Sequence, residues 1–296
     1  MNITLTGSLG NISSKLTEIL VGKGHQVTLI SQQPSRAAQI EAMGATAAIG
    51  SVEDESFLRS AFSGADAVYT MVPPNFSAPD YNAFVRNVQD RYAAAIEATG
   101  ISHVVNLSSS GSPLSGSAPL QGYENLETRL DRLTGTSILH LRPGGFYSNF
   151  YGSIPLIRHQ GIIGNNFDAS ATMIMSHPHD IAEAAATALH TRSFAGKEIL
   201  YIVSDRKTGH EAAQIIGHAV GRPELQWVRF PDDQLLDALV AGGFSRDAAQ
   251  HYIVDMGIAI REGLLDAHYQ QNTHEEWGTR SFDVFASEFA QAYAHS

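Results

Sequence analysis

The sequence predicts an α/β fold: a doubly wound parallel sheet followed by a smaller, mostly helical C-terminal region. Short apolar runs alternate with stretches of helical spacing through the first half. A glycine-bearing turn stands directly after the first run, and the alternation becomes irregular beyond residue 150.

Taken in order, residues 2–5 read as a strand, and Ile12, Leu16, Ile19 and Leu20 recur at the spacing of a helix behind it. Further strands are expected at 27–30, 46–49, 67–72, 104–107 and 138–141, with helices at 35–43, 53–62, 81–99 and 121–133 between them. Strands this uniformly apolar need cover on both faces, which repeated right-handed βα units supply. That is the Rossmann arrangement, with ligands at the carboxyl ends of the strands. Later in the chain, 199–203 and 225–230 read as strands, and Thr208 and Glu211 form a capping box opening a helix. Leu235, Leu236 and Leu239, then Tyr252, Ile253, Met256 and Ile260, then Phe285 and Phe289 supply apolar faces for packing on the sheet. No internal repeat or low-complexity segment interrupts the chain.

Composition narrows the function classes. With 296 residues and 43% hydrophobic content the chain can bury a sizeable core. The absence of Cys excludes a disulfide framework, a thiolate metal site and a cysteine nucleophile, and it fits a cytoplasmic location. Redox chemistry would need a cofactor. No run approaches about 18 consecutive apolar residues and no basic, apolar leader opens the chain, so neither membrane spanning nor secretion is expected. A net charge of -11 argues against direct binding of nucleic acid. From Pro231 onward eleven Asp and Glu face three Arg, which reads as a solvated helical face.

The stretch Thr6-Gly7-Ser8-Leu9-Gly10-Asn11-Ile12-Ser13 joins strand to helix. Gly7 can take a tight turn, Gly10 lets backbone approach a ligand, and the following helix aims its positive end at an anion. The pattern points to a dinucleotide, with Gly7, Leu9, Gly10, Asn11 and Ile12 around its pyrophosphate. After the second strand, where an NAD site usually places an acid, the chain has Ser31, Gln32 and Arg36, and no acid before Glu41. These residues would tolerate a 2′-phosphate, so NADP(H) is expected ahead of NAD(H); otherwise Arg36 is a solvated residue at a helix start. Pro73 and Pro74 end the fourth strand, so that Met71, Val72 and Pro73 would wall the nicotinamide half, with Asn75 and Phe76 beyond. Ser108, Ser109 and Ser110 follow the fifth strand. Their hydroxyls can bind cofactor or, at Ser110, polarise a carbonyl, although loops are commonly serine-rich. Gly161, Gly164 and Asn165 read as a loop able to cover the site. His177, His179 and Asp180 contain ligand types, yet Pro178 and Asp180 suit a helix first turn. His268, His274, Glu275 and Glu276 show no ligand spacing, and no metal site is expected.

These stretches resemble the short-chain dehydrogenase/reductase superfamily in its atypical NmrA-like branch, which includes NADPH-dependent quinone reductases, triphenylmethane-dye reductases and NADP-binding redox sensors. The resemblance rests on TGSLGNIS at 6–13, NLSSSG at 106–111, LRPGGFYSNF at 141–150 and HPHDIAEAAATALH at 177–190. It implies an NADP-binding Rossmann domain over 1–150 and a smaller substrate-side domain over 151–296, with about 177–205 returning to the first. It also implies that Gly145 and Phe146 border the cofactor, while Asn75, Phe76, Tyr147, Asn149 and Phe150 border a flat substrate; core packing competes for each aromatic. Ser13 stands in place of the family's third glycine. The superfamily's catalytic Tyr–Lys pair, four residues apart, becomes Tyr123 and Glu127, and a nearby carboxylate would raise the Tyr123 pKa rather than lower it. Tyr123 is either a proton donor or, with Leu126, Leu130 and Leu133, a core aromatic. Epimerase chemistry is therefore not expected. The resemblance implies direct hydride transfer to a quinone-like small molecule by a monomer or homodimer; the alternative is a non-catalytic NADP(H) sensor acting through a protein partner.

Overall fold

A computed structural model describes residues 1–272 and 278–296. The first half runs β1 (Asn2–Leu5), α1 (Ser13–Gly22), β2 (Gln26–Ser31), α2 (Ala37–Ala42), β3 (Thr46–Ile49), α3 (Glu55–Phe62), β4 (Ala67–Thr70), α4 (Tyr81–Thr99), β5 (His103–Leu107), α5 (Thr128–Asp131) and β6 (Ser137–Pro143). Local chemistry sets several boundaries. Asp54 and Asp80 cap the starts of α3 and α4 by accepting from backbone N–H groups, and Gly100, at φ 67°, takes the left-handed conformation that ends α4.

Beyond β6 come β7 (Gly145–Phe146), a 3₁₀ segment (Tyr147–Ser153), α6 (Ile154–Gln160), β8 (Ile162–Asn165) and β9 (Thr172–Ser176). They are followed by α7 (Pro178–Thr191), β10 (Lys197–Ile202), β11 (Asp205–Thr208), α8 (Gly209–Ala219) and β12 (Gln226–Arg229). The chain ends in helices α9 (Asp232–Ala241), α10 (Arg246–Ala248), a π-helical turn (Ala249–Val254), α11 (Asp255–Arg261), α12 (Leu264–Asn272) and α13 (Phe282–His295).

Seven parallel strands form the central sheet in the order β10-β6-β5-β4-β1-β2-β3. Strand order reverses between β1 and β4, so the crevice at their carboxyl ends is the topological switch point. Leu16 and Leu20 of α1 and the alanine-rich face of α7 cover one side; Leu58 and Phe62 of α3 with Val88 and Tyr92 of α4 cover the other. Thus α7 and β10 belong to the large sheet although they follow the 3₁₀ segment. A second core joins Tyr147, Ile163, Phe167 and Met173 to Ile216 of α8 and to Phe282, Phe285 and Phe289 of α13. Small sheets β11-β9-β7 and β12-β8 tie the C-terminal region together. No helix among the described residues is long and apolar enough to cross a membrane.

Two expectations need correction. Residues 121–133 do not form one helix: a 3₁₀ turn at Leu120–Gly122 and an irregular stretch precede the four-residue α5. Tertiary hydrogen bonds claim the backbone there, since Asn106 Nδ2 donates to Leu126 O and Asn82 Nδ2 donates to Gly122 O. The stretch holding Gly161, Gly164 and Asn165 is no covering loop. Ile162–Asn165 pairs with β12, and a Cβ at Gly164 would overlap Val228 O, so glycine here permits strand contact.

Among the described residues several buried polar side-chain atoms lack a hydrogen bond, and the Tyr69 hydroxyl is one of them. Tyr69 is fully buried on β4, and its hydroxyl finds no partner among the described residues. A buried unpaired hydroxyl costs about 1–3 kcal/mol. Tyr69→Phe, which deletes only that atom, should stabilise the fold by about 1 kcal/mol, read as a raised urea midpoint at unchanged m-value.

Candidate cofactor and acceptor site

The glycine turn is held from three sides. Gly7 adopts φ 94° and Ser8 φ 51°; a Cβ on Gly7 would collide with Ser13 Oγ and stand 3.0 Å from Met71 Cγ. Ser13, in the third glycine position, donates to Thr6 O at 2.8 Å. Thr6 N donates to Tyr69 O, and Thr6 Oγ1 accepts from Met71 N at 2.8 Å, fastening the turn to the loop after β4. No side chain caps α1, whose N-cap is Ile12. Gly10 and Asn11 are exposed and Leu9 is half-buried, whereas the Ile12 side chain lies in the core. This cradle, whose glycines keep side chains out of it, fits a dinucleotide pyrophosphate.

At the end of β2, Ser31, Arg36 and a residue the sequence reading passed over come together. Ser8 Oγ donates to Ser31 Oγ at 2.8 Å and accepts from Arg36 Nη1 at 3.0 Å. Gln32 Nε2 donates to Ser51 Oγ at 2.8 Å. Arg36 is therefore tied to the turn rather than solvated at a helix start. Ser8 was hidden because only the glycines of the turn carry a familiar signal.

The loop after β5 holds a buried charge network. Arg142, on β6, donates through Nε and Nη2 to both Glu127 carboxylate oxygens, at 2.8 and 2.6 Å, and their side chains are 9% and 7% exposed. Ser108 donates to Glu127 Oε1, so its hydroxyl is already engaged. Arg142 Nη1 donates to Tyr201 Oη, which lies 2.9 Å from His268 Nδ1. Burial pushes the Glu127 carboxyl up, but the hydrogen bonds from Arg142 and Ser108 outweigh it and hold the group below its usual range. Tyr123 lies off any helix, buried, with its ring 4.6 Å from Tyr252. Burial, joined by the Glu127 charge, pushes its phenol up to about 12 against a hydrogen bond with Ser109. Ser109 Oγ accepts from Gly111 N at 3.0 Å, and the Ser110 backbone N–H donates to Pro143 O. Met256 of α11 stands over this loop: a Cβ on Gly111 would be 2.7 Å from its Cε.

The residues expected around a flat substrate separate. Phe76 is sandwiched between Phe244 and Tyr81, at 4.9 and 5.3 Å, and Asn75 is exposed. Tyr147 is a core residue: it is fully buried, donates to Arg280 O at 3.0 Å and packs against Phe282 and Phe285. Phe146, Asn149 and Phe150 instead line a cavity of about 140 Å³ with Gly145, Ser153, Ile163, Phe167, Met173, Trp227 and Ile260. Phe146 also packs on the sheet core that Leu9 and Met71 join. Residues 146, 149, 150 and 153 share the i, i+3, i+4, i+7 spacing of one helical face, a signal that would have set them apart from Tyr147. Met173 and Trp227, remote in sequence, gave none. A larger cavity, about 400 Å³, lies at the opposite end of the sheet around Asn2, Gln26 and Thr46, away from the switch point.

His177 and His179 do not form a metal centre. Nδ1 of His177 accepts from His179 N at the start of α7, and Asp180 binds Ser204 and Arg280. No cluster of three or more metal-ligating side chains occurs among the described residues. His274, Glu275 and Glu276 lie outside them.

Comparison with known proteins agrees with this geometry. Residues 7–133 match the NAD(P)H-binding family model, so this part of the chain is an NAD(P)H-binding domain. Three solved structures share the fold over nearly their whole lengths. A nucleoside-diphosphate-sugar epimerase from Staphylococcus aureus is 16% identical, covers 97% of this chain and 100% of its own, and has a TM-score of 0.78. The NADPH complex of an NADPH-dependent quinone oxidoreductase from Escherichia coli is 19% identical, covers 99% of each chain and has a TM-score of 0.75. The NADP(H) complex of triphenylmethane reductase from Citrobacter sp. is 19% identical, covers 98% of this chain and 100% of its own, with a TM-score of 0.77. A search of curated protein sequences finds no match.

The charge network has a measurable signature. Glu127→Gln leaves Arg142 buried without its anion and should cost about 3 kcal/mol, whereas Glu127→Gln with Arg142→Met should cost distinctly less, because breaking a buried pair costs more than replacing both partners. Since the folded-state pKa of Glu127 is depressed, its contribution is present above the ordinary value of 4.5 and is lost as pH falls through the lower folded value. Stability of Glu127→Gln should consequently fall less steeply than wild type through that acid window, in denaturant titrations at stepped pH.

Proposed function

We propose that the chain is an NADPH-dependent reductase that delivers hydride directly to a quinone or similar planar, electron-poor acceptor. The observation that carries this is the position of Phe146, which lines the apolar cavity and packs on the same core as Leu9 and Met71 of the cofactor crevice. An acceptor in that cavity would lie beside the route of the cofactor. In this reading residues 1–150 hold NADPH and 151–296 supply most of the acceptor side, with α7 and β10 returning to the first part. The backbone at Gly7, Leu9, Gly10 and Asn11 receives the pyrophosphate, Arg36 with Ser8 and Ser31 receives the 2′-phosphate, and Met71, Val72, Pro73, Ser109, Gly145 and Phe146 border the nicotinamide half.

The bound cofactor supplies hydride; the chain positions the acceptor and excludes water. A quinone suits the residues present. Two electrons and two protons convert it to an aromatic hydroquinone, with the hydride furnishing one proton and both electrons. The second proton comes from water or from the Tyr123–Ser109 hydroxyl pair, Tyr123 being neutral at physiological pH. Glu127, neutralised by Arg142, takes no part in that transfer. The shared fold with an NADPH-dependent quinone oxidoreductase and a triphenylmethane reductase supports the same reading.

The test is NADPH oxidation followed at 340 nm with a panel of quinones. Turnover is expected with NADPH and a neutral quinone; tight NADPH binding without turnover of any acceptor would replace the reductase with a non-catalytic sensor acting through a protein partner. Arg36→Ala should weaken NADPH binding by about tenfold or more, the worth of one charge-assisted phosphate contact, while NADH binding stays within about twofold. Equal wild-type affinity for the two cofactors would overturn the phosphate assignment.

A further inference from the structure

We propose that Trp227 sets the size of the acceptor and restricts it to single-ring, uncharged molecules; this rests on the cavity being the acceptor site. Trp227 sits on β12 opposite Ile163 of β8 and is only partly buried, with part of its surface lining the cavity. Three contacts immobilise it. Its indole N–H donates to Phe167 O at 3.0 Å, its ring lies 5.1 Å from that of Phe167, and the start of α8 presses against it at Gly209, where a Cβ would stand 2.7 Å from Cδ2. The strand carrying it is equally fixed, because Gly164 brings β8 too close to β12 for any side chain. A wall held by strand, carbonyl and helix cannot retreat to admit a larger guest.

The space such a wall leaves is small. A cavity of about 140 Å³ is close to the roughly 150 Å³ apolar cavity that takes up benzene. Among the described residues no charged side chain lines it and the polar groups are the amides of Asn149 and Asn165 and the Ser153 hydroxyl, so a sulfonated or carboxylated ring would leave its charge unpaired. A neutral one-ring quinone meets both limits, and a three-ring quinone exceeds the first.

The decisive experiment compares kcat/KM for a dimethyl-1,4-benzoquinone and for phenanthrenequinone in wild type, Trp227→Phe and Trp227→Leu. Wild type should favour the single ring, and both variants should shift the ratio toward three rings by about tenfold, the scale on which shape discriminates in apolar pockets. An unchanged ratio in variants that still turn over the small quinone would overturn the proposal. A binding readout independent of turnover uses the fact that the sequence has only two tryptophans, Trp227 and Trp277. In Trp277→Phe, fluorescence of Trp227 should be quenched saturably by the one-ring quinone and not by the three-ring quinone. If that quenching holds while wild type reduces nothing, the size rule stands and the reductase reading fails. If the one-ring quinone gives no saturable quenching, Trp227 does not line its site.

Discussion

Two of the segments assigned to the cofactor, the ends of β2 and β4, are fastened to three consecutive residues, Thr6, Gly7 and Ser8. Thr6 binds the strand-end loop of β4 through backbone and hydroxyl, Gly7 leaves no room between Ser13 and Met71, and Ser8 bonds to Ile30, Ser31 and Arg36. The constraint is steric before it is chemical. A side chain at Gly7 would displace the helix start and the neighbouring loop together, and with them the crevice where strand order reverses. Ser13 shows how such a junction tolerates change: it fills the space a third glycine would leave and returns a hydrogen bond to Thr6 O. Close packing at that position is preserved by a small residue whose polar atom is satisfied.

The second organising feature is electrostatic. The Glu127 carboxylate, left alone beside Tyr123, would be a buried uncompensated charge. Arg142 resolves this from the adjacent strand with a two-pronged contact, and Ser108 adds a third bond. The pair gives little net stability, because desolvation of both ions offsets most of their attraction. Its effect is to hold Glu127, and with it the non-helical 123–127 stretch, against β6, while burial keeps the Tyr123 phenol neutral. Such a site offers hydroxyl donors while the nearest cation is spent on Glu127, an arrangement unsuited to stabilising a strong developing oxyanion.

The legible parts of the sequence were those fixed by neighbours along the chain. The glycine turn, the apolar strands and the capping box of Thr208 with Glu211 act within a few positions of themselves. Four features were illegible because their causes are distant. Residues 121–133 carry helical periodicity, yet Asn106, Ser112 and Arg142 bind them from two strands and a loop. Gly161 to Asn165 look like a loop until Gln226–Arg229 supplies a partner. Tyr147 and Phe150 are chemically alike, but one lies buried among Phe282 and Phe285 while the other reaches the cavity, a division set by the pitch of the 3₁₀ segment and by a helix that arrives more than 130 residues later. Ser8 escaped because a serine in a glycine turn carries no signal until Arg36 and Ser31 are seen to converge on it.

On the proposed function, an acceptor that aromatises fits these constraints better than a simple carbonyl. Reducing an alcohol-forming carbonyl places charge on one oxygen, which demands an acid whose proton is readily released; a phenol pushed up to about 12 releases its proton reluctantly. A quinone spreads the incoming electrons over a ring and needs a proton only after they have arrived, when water at the cavity mouth can serve. What such a reaction requires of the protein is orientation. The rigid wall at Trp227 and the glycine cradle at Gly7 are both built by close backbone approach rather than by titratable groups, and in that sense cofactor and acceptor are governed by the same means. On the proposed reading selectivity is a matter of shape: it depends on how little the strand pair β8–β12 and the β1 turn can yield.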